Sequence, residues 1–251
     1  IDMHKVYRRI SIFIVMIIMA VAMSLTLFAS VPLVNLTRGG QTVFHYNTTT
    51  PVTIPESYQE SDTEFRAVWV ATVYNLNIAT HTSETQYKAA YQQLIADVKA
   101  KNLNAILFQV RPNNDAFYDS DYAPWSRWLA GSEGADPGWD VMQYLVDYAH
   151  SQGIQFHAWM NPYRVQNTAL SKEAMLSALH DENFAKQNPN LVIAGNYSNS
   201  VYPYILNPGE PAVKTYIRNV VKELMGLYDV DGIHFDDYFY PYSGLSSDTQ
   251  T

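Results

Sequence analysis

Two adjacent aspartates at the end of an apolar run are the residues best placed to do chemistry. The run VDGIHFDDYFYP (Val230–Pro241) reads as a strand and the loop after it. Strand side chains alternate, so His234, Asp236 and Tyr238 share one face, and Ile233, Phe235 and Asp237 share the other. A polar group on a strand buried on both faces costs free energy unless it lines a site. Asp236 is therefore the leading catalytic candidate. The competing reading is that it caps the following loop or holds a salt bridge. Asp237 is the second candidate, better suited to supporting the loop. Two neighbours that diverge from one strand cannot easily form an acid–nucleophile pair, which must flank a single bond.

Two other strand ends offer groups that could hold a ligand. FQVRP places Gln109 and Arg111 on one face, and the planar guanidinium fork could bind hydroxyls, a substrate carboxylate or Asp236 itself. A structural salt bridge would use Arg111 equally well. HAWMNPYR places His157, Trp159 and Asn161 together, followed by Tyr163 and Arg164. An indole beside amide and imidazole groups combines a stacking surface with hydrogen bonds. His157 could also be a satisfied core histidine. A divalent metal on His157, His234, Asp236 and Asp237 is the other way to use these groups, but no HExxH motif supports it. No cofactor is expected.

The elements that must position these residues alternate. Strands are expected near 66–72 (RAVWVAT), 105–111 (AILFQVR), 154–160 (IQFHAWM) and 230–237. Thr82 or Ser83 can cap a helix carrying Tyr87, Tyr91, Leu94, Ile95 and Val98 on one side. A second helix follows Asp136–Pro137 and Gly138 and closes at Gly153, and Pro211 opens a third. Between them, Gln166 to Pro208 reads as a long loop, of the kind that forms lids or binding walls. Strand–helix alternation means an α/β fold with a parallel sheet and right-handed crossovers. A doubly wound sheet is the alternative, although no Gly-rich phosphate loop follows the first strand. In a barrel, the strand C-termini carry the chemistry, and here each ends in polar and aromatic residues.

Composition narrows the function. Beyond residue 40 there are 12 Lys and Arg against 23 Asp and Glu, a balance that repels nucleic acid. Cysteine is absent, which removes disulfides, thiolate nucleophiles and a lipobox. Tyr (19) and Trp (5) are numerous, and their flat faces and polar tips suit sugars, though a Tyr-rich surface would look the same.

Lys5, Arg8 and Arg9 precede an uncharged stretch, strongly apolar from Ile10 to Ala29. This pattern marks export, with the basic end left in the cytoplasm. Residues 1–37 are thus a signal peptide or an N-terminal membrane anchor. Residues 38–63, rich in Thr, Ser and Pro, read as a flexible linker, and 64–251 as the folded domain.

Five pieces, in order, resemble the glycosyl-hydrolase-like family 10, a (β/α)₈-barrel (TIM-barrel) family of bacterial envelope proteins. They are FRAVWVAT (65–72), FQVRPNNDAFYDSDYAPWS (108–126), FHAWMNPYRV (156–165), ILNPGEPAVKTYI (205–217) and DVDGIHFDDYFYP (229–241). The resemblance implies glycan hydrolysis in the envelope, with peptide-free peptidoglycan strands as one substrate class. It also implies a fold truncated to about the first four strand–helix units, hence a fragment and an open half-barrel. The fourth strand is further similar to that of α-amylase-like hydrolases, where a basic residue sits two before the nucleophilic Asp. By that likeness Asp236 is the nucleophile or electrostatic stabiliser, and His234 keeps it ionised and oriented. The general acid would come from a later strand, or from Asp237. A non-catalytic glycan-binding module and metal-assisted hydrolysis such as deacetylation remain alternatives. Arg111, Asn161 and Asp236 are expected to converge at one end of the sheet.

Overall fold

The computed structural model describes residues 32–45, 48–57, 64–80, 83–195 and 201–236. The chain divides into two units, Ile1–Glu64 and Phe65–Thr251.

The first unit holds four short strands: β1 (Leu33–Asn35), β2 (Thr37–Arg38), β3 (Gln41–Thr42) and β4 (Thr53–Pro55). β2 and β3 form a hairpin turned by Gly39 and Gly40, both at positive φ (58° and 78°). Such a two-residue turn needs this conformation at both positions, and glycine adopts it without a Cβ penalty. β1 pairs antiparallel with β4. Part of the stretch expected as a flexible linker thus takes part in backbone pairing. The expected export segment falls mainly on residues 1–31, outside the described residues. Among the described residues, no helix is long and apolar enough to cross a membrane.

The second unit is built on four parallel strands: β5 (Ala67–Val70), β6 (Ala105–Arg111), β7 (Gln155–Met160) and β11 (Gly232–Phe235). They lie side by side in chain order, β5-β6-β7-β11, and every adjacent pair is parallel. A doubly wound sheet would reverse this order at a switch point. The arrangement is that of four consecutive units of a (β/α)-barrel. β6 lies in the middle with all seven residues buried, as a strand covered on both faces requires.

The helices close one face. Ser83 caps α1 (Glu84–Ala100) by accepting from the Gln86 amide, and Tyr87, Tyr91, Ile95 and Val98 form its buried stripe. A short α2 (Arg127–Ala130) begins at Ser126. Asp140 caps α3 (Val141–Ser151), and Gly153 follows it at φ 72°. The helix before β11 is numbered α6 (Pro211–Leu227). Pro211 occupies its first turn, and Val213, Tyr216, Val220 and Leu224 are buried. Each fully buried side chain of this size contributes about 1.5–3 kcal/mol relative to exposure. These stripes meet Val68, Val70, Ile106, Phe108, Val110, Phe156, Ala158, Met160 and Ile233 of the sheet in one core.

The segment expected as a long loop is largely structured. It contains β8 (Arg164–Thr168), α4 (Lys172–Ala178), α5 (Phe184–Gln187), β9 (Val192–Ala194) and β10 (Tyr202–Leu206). The strands form a separate antiparallel sheet in the order β8-β10-β9. Its elements are too short for their periodicity to stand out, and β10 carries a register shift between Tyr204 and Ile205.

Candidate active site

The face of the parallel sheet opposite the helices displays the alternate residues Trp69, Leu107, Gln109, His157, Trp159 and His234. Their strand neighbours fill the core. Trp69 packs edge-on against Trp159, with ring centroids 4.9 Å apart, and against His234 at 5.8 Å. Trp69 is 48% exposed, so an indole is presented on this face. His157 and His234 stand on adjacent strands with Nδ1 and Nε2 2.9 Å apart, and the second nitrogen of His157 meets Gln155 Oε1 at 3.2 Å. Burial, and secondarily His234, holds the His157 pKa below the ordinary histidine value.

Asp236 is exposed and follows β11 directly. Phe235 pairs with Met160, so Asp236 stands level with Asn161 at the strand end. Asp237 and Tyr238 lie outside the described residues.

Asn161 is buried and committed to protein groups. Its amide nitrogen donates to the Pro112 carbonyl (3.1 Å), and its oxygen accepts the indole N–H of Trp159 (3.1 Å). Asn161 thus fixes the orientation of Trp159. Gln109 is buried as well. Its side-chain oxygen accepts from the amides of Thr72 and Val73, both at 3.0 Å, and so clamps the turn after β5.

Arg111 departs from the expected geometry. β6 shifts register against β7 between Gln109 and Arg111, and the guanidinium runs toward α6 instead of sharing the face of Gln109. It is fully buried, donating to the Asn161 carbonyl (3.0 Å) and to the Tyr216 hydroxyl (2.9 Å). Tyr216 donates in turn to the Tyr122 carbonyl and stacks on Phe184 at 3.8 Å. Arg111 thus meets Asn161 through the Asn161 backbone, and its guanidinium orders the rim. Tyr163 and Arg164 are half-buried where the antiparallel sheet begins. Their carbonyls accept from Leu206 N and Asn114 Nδ2, respectively.

One buried carboxylate was not singled out by sequence reasoning. Asp115, 2% exposed, accepts from the Asn113 amide (3.0 Å) and the Ser126 hydroxyl (2.7 Å). Burial raises its pKa to about 6, with nearby Glu133 adding to the effect and the Ser126 hydrogen bond opposing it. Glu133 is itself held by Arg127 and by Asn183 Nδ2 at 2.7 Å. The network shapes the loop after β6. The only sequence signal was an Asp within NNDAF, since burial of a loop carboxylate has no periodic signature. Among the described residues, no group of three His, Asp or Glu side chains is placed to hold a metal ion.

Known proteins similar in sequence to this chain are glycosyl hydrolases by name. Glycosyl hydrolase YngK of Bacillus subtilis (strain 168) is 38% identical over 187 residues, covering 73% of this chain and 34% of that protein. Glycosyl hydrolase DigH of Escherichia coli (strain K12) is 34% identical over 201 residues, covering 74% of this chain and 44% of that protein. The chain thus spans between a third and half of these relatives' length. Among solved structures, an alpha-galactosidase from Thermus thermophilus superposes with a TM-score of 0.44 at 12% identity, covering 71% of this chain and 32% of that one. The family model described as glycosyl hydrolase-like 10 matches residues 64–251, and the chain belongs to that family.

Proposed function

We propose that this domain supplies the first half of the barrel of an exported glycoside hydrolase acting on cell-envelope polysaccharide, with peptide-free peptidoglycan strands as the substrate class. The observation that carries the reading is an exposed carboxylate, Asp236, at the end of β11 on a sheet whose same face holds Trp159 of the adjacent β7 and, edge-on against it, the half-exposed Trp69 of β5. Aromatic rings stack on sugar C–H faces, while a carboxylate at the strand end can stabilise an oxocarbenium-like transition state. His234, two residues before Asp236 and on the same face of its strand, supports that charge. Asp237 or a carboxylate from a later strand would protonate the leaving oxygen. In this account Gln109, Arg111 and Asn161 shape the site and do not touch sugar. Tyr163, Arg164 and Tyr238 are candidate rim contacts. The test is release of reducing ends from peptide-free glycan by a barrel of the relatives' full length, with and without Asp236→Asn.

A further inference from the structure

The reaction reading uses His234 but leaves unexplained the chain of hydrogen bonds it belongs to, Gln155–His157–His234, joined in series across two strands. The hydrogen bonds have one consistent direction. Gln155 Oε1 can only accept, so the Nε2 of His157 that meets it carries the proton. Neutral His157 then has a bare Nδ1, which must accept from the Nε2–H of His234. Among the described residues, Nδ1 of His234 has no hydrogen-bond partner. An extra proton entering the pair therefore has one open position, Nδ1 of His234, and its arrival breaks no existing hydrogen bond. A proton on His157 Nδ1 would have to enter the gap between the rings and displace the Nε2–H already there.

We propose that Gln155 and His157 are positioning residues that make His234 the member of the imidazole pair to carry positive charge, two residues before Asp236. The surroundings favour the same asymmetry. His157 is wedged between the rings of Phe65 and His234, each 5.0 Å away, and against Gly232. Its own pKa is lowered first by burial and then by His234, while Asp231 opposes this. Asp231 is itself engaged by the Phe156 amide (2.7 Å) and by His150 Nε2 (2.8 Å). On the His234 side the facing groups are Trp69 of β5 and Trp159 of β7, neither of which titrates, with Asp236 further along its own strand. The absence of a side chain at Gly232 is part of the device, since a Cβ there would run into the His157 ring. The inference deepens the hydrolase reading by naming what sets the charge beside its carboxylate, and it is measured without reference to turnover.

The experiment is magic-angle-spinning NMR on the sedimented chain with ring-¹⁵N-labelled histidine. This requires neither a monomer nor activity. His157→Phe and His234→Phe assign the signals. At neutral pH, His157 and His234 are expected as single Nε2–H tautomers, with a ring N–H of His234 correlated to Nδ1 of His157. On acidification, His234 protonates first and His157 follows at lower pH. Gln155→Leu, at an exposed position, should leave the histidines outside the pair in place and convert His157 and His234 together into a tautomer mixture, because an Nδ1–H on His157 requires a bare Nε2 on His234. Protonation of His157 ahead of His234 or an Nδ1–H tautomer at His234 in the parent chain, or no effect of Gln155→Leu, would each overturn the relay. Loss of turnover in Asp236→Asn would be unaffected by such a result, so the two readings fail separately.

Discussion

Nδ1 of His157 lies 2.9 Å from Nε2 of His234 because the residue paired with His157 on β11 is Gly232, whose missing side chain admits the imidazole. The DGIH sequence is thereby explained by packing as well as by chemistry. Gly232→Ala would bring a methyl group within 3.0 Å of the ring carbon Cε1 and closer still to Nδ1. We expect a loss of about 1–3 kcal/mol in denaturant unfolding, the usual cost of overpacking. Gly226→Ala in α6, where nothing lies within 4 Å, should instead stabilise by up to about 1 kcal/mol. Equal effects at the two glycines would refute the packing argument.

Asp115 gives a pH-dependent signature. Its folded pKa, about 6, lies above the ordinary 3.8, so the folded chain binds more protons than the unfolded one between these values. Stability from this group is therefore highest below about pH 4 and declines as pH rises to about 6, by up to about 3 kcal/mol. Asp115→Asn removes the titration. The stability difference between variant and parent should grow in the variant's favour across that window and then stay flat. A difference independent of pH would contradict the assignment.

Asn161→Ala should cost about 2–4 kcal/mol, since it leaves the Trp159 indole N–H and the Pro112 carbonyl without their partner in a buried setting. Arg111→Lys keeps the charge but cannot span both the Asn161 carbonyl and the Tyr216 hydroxyl, so a similar loss is expected. Unfolding curves of both variants provide the check. If Arg111→Lys matched the parent, the guanidinium fork would not be ordering the rim.

These positions also show how much the sequence revealed. The four parallel strands, a cap at Thr82 or Ser83 and Pro211 as a helix start follow from runs, periodicity and backbone chemistry, all local. Arg111 could not be placed the same way. A one-residue register shift redirects it toward a partner in α6, Tyr216, about a hundred residues further along the chain. The antiparallel insertion escaped because strands of three to five residues carry too few alternations to stand out. Asp236 could be picked out because a strand end has a recognisable pattern. Asp115 could not, because its burial is a property of the folded loop.

Among the described residues the sheet has β5 and β11 at its edges, with Phe65 (53%) and Trp69 (48%) exposed on or beside the face opposite the helices. Unpaired strand edges beside apolar surface promote association. Light scattering on the isolated chain should show concentration-dependent oligomers, reduced by Trp69→Lys. A monodisperse monomer over the whole concentration range would contradict this view of the face.

The central claim is that Asp236 acts at the reacting sugar, and turnover of peptide-free glycan strands tests it most directly. In a barrel of the relatives' length, Asp236→Asn should lower turnover by on the order of 10³-fold or more, equivalent to about 4 kcal/mol of transition-state stabilisation. Folding and glycan binding should be nearly unchanged, because the amide keeps the shape and loses only the charge. Asp237→Asn is expected to be milder. Near-parental turnover in Asp236→Asn with an inactive Asp237→Asn would transfer the role to the neighbour, and full activity in both would remove this strand from the chemistry.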